Sequence, residues 1–138
     1  MDIEIQIIKE VRKKEMIRLY RDAGWWQADW EQDTSFLEGI VKNSALFAAA
    51  FHDGAMVGMG RALSDRVSDA YIQDVAVLKG YRNQGIGKRI IQALVSNLKK
   101  SGVDWIGLIS EPGTQDFYTR LGFEELKGHV AYKLTNPN

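Results

Sequence analysis

Hydrophobic and polar residues alternate with two different periods along this chain. At its start, Ile3, Ile5 and Ile7 alternate with polar residues, which predicts a strand with one face in a hydrophobic core. Apolar residues then recur at helical spacing over residues 16–23 and again over residues 36–41. The chain is therefore predicted to begin with a strand and two helices.

Three strands and a helix are predicted for the middle of the chain. The apolar runs at residues 45–51 and 56–63 flank an Asp-Gly pair at residues 53–54, which favours the tight turn of an antiparallel hairpin. Residues 71–78 are rich in β-branched and aromatic side chains, which predicts a central strand. Over residues 86–98, apolar positions return to helical spacing.

The last third of the chain is predicted to add a strand, a short helix and two closing strands. The first strand covers residues 103–109, and the helix lies between Pro112 and Gly122. The closing strands lie around Phe123 and over residues 130–134.

The complete element order is β-α-α-β-β-β-α-β-α-β-β, without repeats or linkers. It predicts one α+β domain over residues 1–135 and a short C-terminal tail at residues 136–138. The length of 138 residues and the apolar fraction of 45% supply material for a single core.

Composition argues against several classes of function. Lysine plus arginine equal aspartate plus glutamate at 18 each, so no overall charge favours nucleic acid or a membrane surface. The chain has no cysteine, and its two histidines, His52 and His129, stand at predicted turns, so no metal site is expected. Neither a signal peptide nor an apolar segment of membrane-spanning length is present, which favours a soluble cytoplasmic protein.

A glycine-rich turn joins the central strand to the helix that follows it. Unpaired N–H groups and the helix dipole make such a turn an anion site. A nucleotide-triphosphate loop would need lysine after its second glycine, but Ile86 follows Gly80 and Gly85. A dinucleotide loop would need a third glycine where Ile90 stands.

The pattern that remains is [QR]-x-x-G-x-[GA], and it resembles the pyrophosphate loop of the GNAT N-acetyltransferase superfamily. Residues 71–77 precede the loop and Phe117 to Phe123, with the sequence FYTRLGF, follow it where this family has corresponding motifs. The resemblance implies a mixed, mainly antiparallel central sheet flanked by helices, with acetyl-CoA as co-substrate. It also leaves a homodimer open, since many relatives pair through sheet edges.

The resemblance assigns two stretches to the coenzyme. Backbone groups of Val75, Ala76 and Val77 are expected to pair with the pantetheine arm. Backbone amides of the loop are expected to hold the pyrophosphate, and the loop consists of Arg82, Asn83, Gln84, Gly85, Ile86, Gly87 and Lys88.

Acetyl transfer to an amine requires a neutral amine, stabilisation of the negative charge on the acetyl oxygen, and a proton for the departing thiolate. By resemblance, Tyr118 supplies that proton, since a phenol with a pKa of about 10 can protonate a thiolate. A core position in the short helix is the alternative for Tyr118. A backbone N–H near Val77, at a bulge in the strand, is expected to stabilise the oxygen.

Asp74 is the candidate base or ammonium anchor, because Gln73 stands where polyamine-type relatives have glutamate and cannot accept a proton. In strict alternation, Gln73 and Val75 share one face of the strand and Asp74 points to the other. A paired structural role for Asp74 therefore stays open, as does a water chain that replaces the base.

The segment between the first two helices is the candidate acceptor site. Indole faces attract cations and carboxylates pair with ammonium groups, so the segment predicts a small-molecule amine with apolar or aromatic parts. The candidate substrate-binding residues are Trp25, Trp26, Asp29, Trp30 and Gln73. Packing of the tryptophans against the sheet is the alternative.

Two other functions stay open. Gln73 and Glu111 stand where relatives have glutamate and asparagine, which leaves a coenzyme-binding module without turnover as one alternative. An N-acetyltransferase that acts on proteins or peptides is the other.

Overall fold

The computed structural model of this chain describes residues 2–136 and divides into two compact units, one up to Leu108 and one from Ile109 onward. Part of the predicted tail, residues 137 and 138, lies outside the described residues. The strands are β1 (Glu4–Ile7), β2 (Leu46–His52), β3 (Ala55–Ser64), β4 (Asp69–Val77) and β5 (Trp105–Leu108). The helices are α1 (Lys13–Asp22), α2 (Phe36–Asn43), α3 (Ile86–Lys100) and α4 (Gln115–Arg120), with short 3-10 helices at Ala28–Gln32 and Lys79–Tyr81.

The five strands form one mixed, mainly antiparallel sheet in the order β1-β2-β3-β4-β5, which confirms the predicted fold class. Only the junction of β4 with β5 is parallel. The hairpin between β2 and β3 turns at Asp53 and Gly54, whose φ angles of 50° and 81° are the positive values that a tight hairpin turn requires. The Asp-Gly prediction is therefore confirmed.

Helix α3 packs very closely on one face of the sheet, at two glycines of β3. A Cβ atom at Gly60 would lie 2.8 Å from Cγ2 of Ile90 and 3.2 Å from Cγ2 of Val75. A Cβ atom at Gly58 would lie 3.0 Å from Cδ1 of Ile90. Glycine at these positions lets the helix approach the strand backbone.

Helix α1 covers the opposite face of the sheet. Its buried residues Met16, Leu19 and Tyr20 recur at helical spacing and are at most 4% exposed. Arg61 follows Gly60 in β3 and therefore points away from α3, toward Tyr20. The sheet of the first unit thus lies between α1 and α3.

A bulge in β4 shifts the alternation of its side chains. Met59 opposes Ala76, whereas Arg61 opposes Gln73, so β4 has one more residue than β3 in this interval. The extra residue is accommodated at Asp74, whose φ of 57° lies in the left-handed region. The bulge that was expected near Val77 therefore lies at Asp74.

The prediction from strict alternation is wrong at this point because of the extra residue. Gln73 lies on the face of Arg61, with which it shares a hydrogen bond of 3.3 Å. Val75 instead approaches Gly60 under α3. Asp74 joins Gln73 on the face of α1, so the two side chains that were predicted to point apart lie on one side.

The second unit contains α4, but the two predicted closing strands are not formed in the described part of the chain. Backbone hydrogen bonds here close local turns, such as the one from the N–H of His129 to the carbonyl of Leu126. Val130, Tyr132 and Leu134 alternate as a strand would, yet they are 71%, 92% and 73% exposed. Alternation stabilises a strand only where one face is buried and the backbone is paired.

Among residues 2–136, no helix combines the length and the apolar character that crossing a bilayer requires.

We expect Gly60→Ala to lower the free energy of unfolding by about 1 to 3 kcal/mol, because the added methyl group collides with Ile90 and forces α3 to move. Gly39→Ala is the matched control. In α2, the new Cβ would meet only Nδ2 of Asn43, at 3.7 Å, and alanine should stabilise the helix by about 0.5 to 1 kcal/mol. Urea unfolding of both variants measures the difference, and equal stability would contradict the close packing.

Candidate active site

The glycine loop, residues 82–88, presents a row of backbone N–H groups without partners. The amides of Asn83, Gln84 and Gly85 donate no hydrogen bond within residues 2–136. The amides of Ile86, Gly87 and Lys88 lie in the first turn of α3, where a helix offers no acceptor, and no side chain caps this end. Six consecutive N–H donors therefore lie unpartnered at the start of α3 among residues 2–136, and such a row of donors suits an anion.

Arg82 differs from the other loop residues because both its backbone and its side chain are engaged within the protein. Its amide approaches the carbonyl of Lys79 at 3.4 Å, and its Nε donates to the carbonyl of Val77 at 2.8 Å. Its guanidinium also lies 3.5 Å from a carboxylate oxygen of Asp22. The side chain of Arg82 thus braces the turn between β4 and α3.

Beyond the bulge, β4 has an edge that β5 does not cover. β5 pairs with β4 only from Asp69 to Ile72. Ala76 pairs with Met59 in the antiparallel ladder, and the N–H of Leu78 donates to β3, so the polar backbone groups of Val75 and Val77 point to the uncovered edge. Backbone groups on that edge can pair with an extended ligand.

Asp74 lies in a polar network inside the sheet. Its Oδ2 accepts hydrogen bonds from Nε of Arg61 at 2.8 Å and from the hydroxyl of Tyr20 at 2.9 Å. The side chains of Arg61 and Asp74 are only 16% and 23% exposed, so this ion pair is largely removed from solvent. Asp74 is therefore a paired carboxylate, although its Oδ1 has no hydrogen-bond partner in the described part of the chain.

Burial raises the pKa of Tyr20, and the neighbouring negative charge of Asp74 raises that pKa further. Tyr20 therefore stays protonated at neutral pH and acts as a hydrogen-bond donor to the carboxylate. Its position couples helix α1 to the bulge of β4.

An aromatic cluster surrounds the ring of Tyr20 and continues into the segment before α2. Its ring centres are 5.2 to 6.4 Å apart, and most of its rings meet edge to face or tilted, as aromatic pairs prefer. The aromatic cluster consists of Tyr20, Trp25, Trp26, Trp30 and Phe36. The three predicted tryptophans are thus brought together, half-buried, and joined through Tyr20 to Asp74.

The two acids of the tryptophan segment differ in their surroundings. Glu31 accepts a hydrogen bond from Nε1 of Trp26 at 2.9 Å and contacts Arg21, and these donors lower the pKa of Glu31. Asp29 is exposed and has no ion pair among residues 2–136. Gln73 faces Arg61 beside the network rather than the tryptophans.

Tyr118 belongs to the second unit, where it lies in α4. Its ring packs against Phe117 and Phe123, with ring centres 4.9 and 5.8 Å apart. Burial, together with the negative charge of Glu111, raises the pKa of Tyr118. The phenol is therefore fully protonated at neutral pH, as a proton donor must be.

Sequence reasoning missed Arg61 and Tyr20. Arg61 is the only charged residue in the apolar run at residues 56–63, and an isolated charge in a strand signals a buried partner. Tyr20 gave no such signal, because its position on the apolar stripe of α1 is typical of a core residue.

Within residues 2–136, no group of three or more His, Cys, Asp or Glu side chains is placed to hold a metal ion. His52 lies at the hairpin turn, where its Nδ1 is 2.8 Å from the hydroxyl of Tyr81. His129 lies in a turn of the second unit.

Comparison with known proteins finds a family model and solved structures that match most of this chain. A model of the acetyltransferase (GNAT) family matches residues 7–123. A solved acetyltransferase of the GNAT family from Streptococcus pneumoniae TIGR4 superimposes with a TM-score of 0.83 at 26% sequence identity, covering 99% of this chain and 100% of that chain.

Relatives in sequence carry acetyltransferase names. An uncharacterized N-acetyltransferase of Pyropia yezoensis is 28% identical over 126 residues, or 88% of this chain and 70% of that protein. A probable acetyltransferase of Glycine max is 41% identical over 114 residues, or 75% and 44%. Serotonin N-acetyltransferase 2, chloroplastic, of Oryza sativa subsp. japonica is 32% identical over 90 residues, or 62% and 45%. The chain thus spans less than half the length of the last two relatives.

We expect the Asp74 variants to show how far this carboxylate stabilises the bulge of β4. Asp74→Ala should lower the free energy of unfolding by about 2 to 3 kcal/mol, because it leaves Arg61 buried without its partner and places alanine at a positive φ. Asp74→Asn should cost less, because asparagine tolerates this φ and retains an oxygen that accepts hydrogen bonds, although it also leaves the charge of Arg61 without its partner. Urea unfolding measures the stability of both variants, and equal losses would contradict a role of the conformation of Asp74 in stabilising the bulge.

Proposed function

The chain belongs to the acetyltransferase (GNAT) family of acetyl-CoA-dependent N-acetyltransferases, and on that premise we propose its acceptor and the roles of its residues. The acetyl group moves directly from acetyl-CoA to the primary amine of a small molecule that carries an aromatic or apolar part. The observation that carries the acceptor assignment is the half-buried aromatic cluster, which touches the β4 network through the hydrogen bond from Tyr20 to Asp74.

The residues present fit the coenzyme. Six unpartnered amides at the start of α3 suit its pyrophosphate, and the uncovered edge of β4 suits its extended pantetheine arm. On this edge the available backbone groups are those of Val75 and Val77, because Ala76 faces β3. The carbonyl of Val77 is already taken by Arg82, which leaves its N–H to stabilise negative charge on the acetyl oxygen.

When bound, acetyl-CoA supplies the thioester whose acetyl group is transferred. Tyr118 is the proposed donor of a proton to the departing thiolate. Asp74 is the proposed ammonium anchor, through its unpartnered Oδ1. Oδ2 of Asp74 is already engaged by Arg61 and Tyr20, so we assign removal of the proton of the amine to a water chain to solvent.

The acceptor assignment rests on the chemistry of the aromatic cluster. Indole faces attract both a positive amine and an aromatic ring, and the guanidinium of Arg21 already lies 5.6 Å from the ring centre of Trp26. Asp29 adds an exposed carboxylate beside these rings. The name of the rice relative, a serotonin N-acetyltransferase, agrees with an aromatic amine.

We place the reaction in the cytoplasm, which a cysteine-free chain permits, although two relatives with acetyltransferase names are described as chloroplastic. The homodimer stays a prediction, which sedimentation analysis of the purified protein can test. Neither assignment affects the choice of acceptor.

The proposed function predicts thiol release from acetyl-CoA in the presence of tryptamine. Trp26→Ala should lower kcat/KM for tryptamine about tenfold and that for butylamine less than about threefold, because only tryptamine loses an aromatic contact. Trp105→Ala, which removes a 46% exposed tryptophan outside the aromatic cluster, is the control.

Gly87→Glu should abolish binding of acetyl-CoA, as measured by calorimetry, because it places a carboxylate at the amides proposed to hold the pyrophosphate.

Several results would overturn this assignment. Equal losses for the two amines in Trp26→Ala would remove the aromatic cluster from acceptor recognition. Preferential acetylation of peptides would assign the chain to protein substrates. Coenzyme binding without thiol release for any amine or peptide would make it a binding module without turnover.

Tyr118→Phe should lower kcat by about a hundredfold or more while the Kd for acetyl-CoA changes by less than about twofold, because only proton donation is lost. Single-turnover rates and calorimetry give the two quantities separately. Phe117→Leu, a change at the neighbouring ring of α4, controls for packing. An unchanged kcat in Tyr118→Phe would exclude the acid role.

A further inference from the structure

A second positively charged surface lies outside the glycine loop, and we propose that it binds an anionic group of the acceptor. It is a groove of about 600 Å³ between the outer face of α1 and the 3-10 helix Lys79–Tyr81. Four cations line this cationic groove, Lys14, Arg18, Arg21 and Lys79. The proposal rests on the proposed function and narrows its substrate class to amines that also carry a phosphate or carboxylate.

Two carboxylates approach the cationic groove, and each is already engaged. Glu31 contacts Arg21 at the end near the aromatic cluster. Asp22 accepts a hydrogen bond from the backbone N–H of Lys79 at 2.8 Å and lies 3.5 Å from the guanidinium of Arg82. These contacts engage Arg21 of the groove and Arg82 beside it, and a third carboxylate, Glu15, stands three residues before Arg18 in α1 and pairs with Arg12.

Three cations of the groove form no ion pair in the described part of the chain. No carboxylate lies within ion-pair distance of Lys14, Arg18 or Lys79 in the described part of the chain. The whole chain is neutral, so this local excess is compensated elsewhere on the molecule. Such a surface attracts anions over about 8 Å at physiological salt.

The cations on α1 repel one another. Lys14, Arg18 and Arg21 are spaced i, i+4 and i+7 on one face, and like charges at this spacing repel. Lys14 also lies in the first turn, where the helix dipole disfavours a cation. Packing of the opposite, buried face does not require these charges. A bound anion would relieve the repulsion.

Apolar and aromatic side chains also line the cationic groove. They belong to Ile17, Leu78 and Tyr81. A cavity lined by both apolar and positively charged side chains suits a molecule that has both an apolar body and an anionic group. An amine acceptor with an aromatic part and a phosphate or carboxylate has this composition.

The position of the cationic groove connects it with the reaction. The segment from Leu78 to Tyr81 joins the end of β4 to the glycine loop. At the other end, Arg21 stacks on Trp26 of the aromatic cluster. The aromatic cluster therefore adjoins the cationic groove through Arg21 and the β4 network through Tyr20.

Binding to the cationic groove can be measured without turnover. Titration with phenyl phosphate should shift the backbone NMR signals of Arg18 and Gly80 in a saturable way. Lys14→Glu combined with Arg18→Glu should weaken this binding at least about tenfold. Lys42→Glu combined with Lys99→Glu makes the same change in net charge on α2 and α3 and should leave it within about twofold. Equal weakening by both pairs of substitutions would overturn the proposed anion site in the cationic groove.

A kinetic comparison tests whether the anion belongs to the acceptor. Wild-type protein should acetylate tyramine O-phosphate with a kcat/KM at least about tenfold above that for tyramine. The Lys14→Glu and Arg18→Glu pair should remove this preference and leave tyramine itself within about threefold. A preference that survives the charge reversal would overturn the proposal.

Coenzyme A also carries a phosphate on its ribose, which is the other source of the same chemistry. The Lys14→Glu and Arg18→Glu pair should change the KM for acetyl-CoA and the KM for its 3′-dephospho form by the same factor. A rise confined to acetyl-CoA would assign the groove to the coenzyme and overturn the acceptor role. If no amine were acetylated, the proposed function would fail, whereas the phenyl phosphate titration would still decide the groove.

Discussion

The ion pair between Arg61 and Asp74 is the contact on which the geometry of the first unit depends. It lies where β4 carries one residue more than β3, and it holds that extra residue at a φ that costs an aspartate energy. The extra residue moves Val75 under α3 and turns Asp74 toward α1. Without it, the strand would present one uninterrupted alternation, and the end of β4 would face the wrong layer for the helix that follows.

Tyr20 connects this ion pair with the aromatic cluster. Because its hydroxyl is buried and stays protonated, it holds α1 against the bulge, and its ring is an edge of the aromatic cluster. The same carboxylate oxygen thus fixes a strand, a helix and a group of indoles. A change at Asp74 would therefore disturb all three, so a loss of activity in an Asp74 variant would not by itself identify a catalytic role.

The sequence predicts those parts of the fold that local chemistry determines. The Asp-Gly turn requires positive φ angles that these residues accept readily, and the apolar stripe of α3 has a single face to bury. The position of the bulge was not predicted, although Asp74 is the one residue of 71–78 whose type is enriched at positive φ. Residue type alone does not place an extra residue in a strand, because a bulge is defined by the register with the neighbouring strand, here at Arg61. The closing strands failed for a related reason, since alternation at residues 130–134 specifies a face but supplies neither a neighbouring strand nor a cover.

This difference also explains why the donor is easier to identify from sequence than the acceptor. The proposed coenzyme side uses backbone amides, and only glycine spacing and a helix start are needed to present them, so the pattern from Arg82 to Lys88 carries the information directly. The proposed acceptor side uses side chains from separate elements that meet only after folding. Arg18 in α1 and Trp26 before α2 lie eight residues apart, whereas Lys79 follows more than fifty residues later, in the turn after β4. In the proposed function, their juxtaposition, rather than any motif, selects the amine.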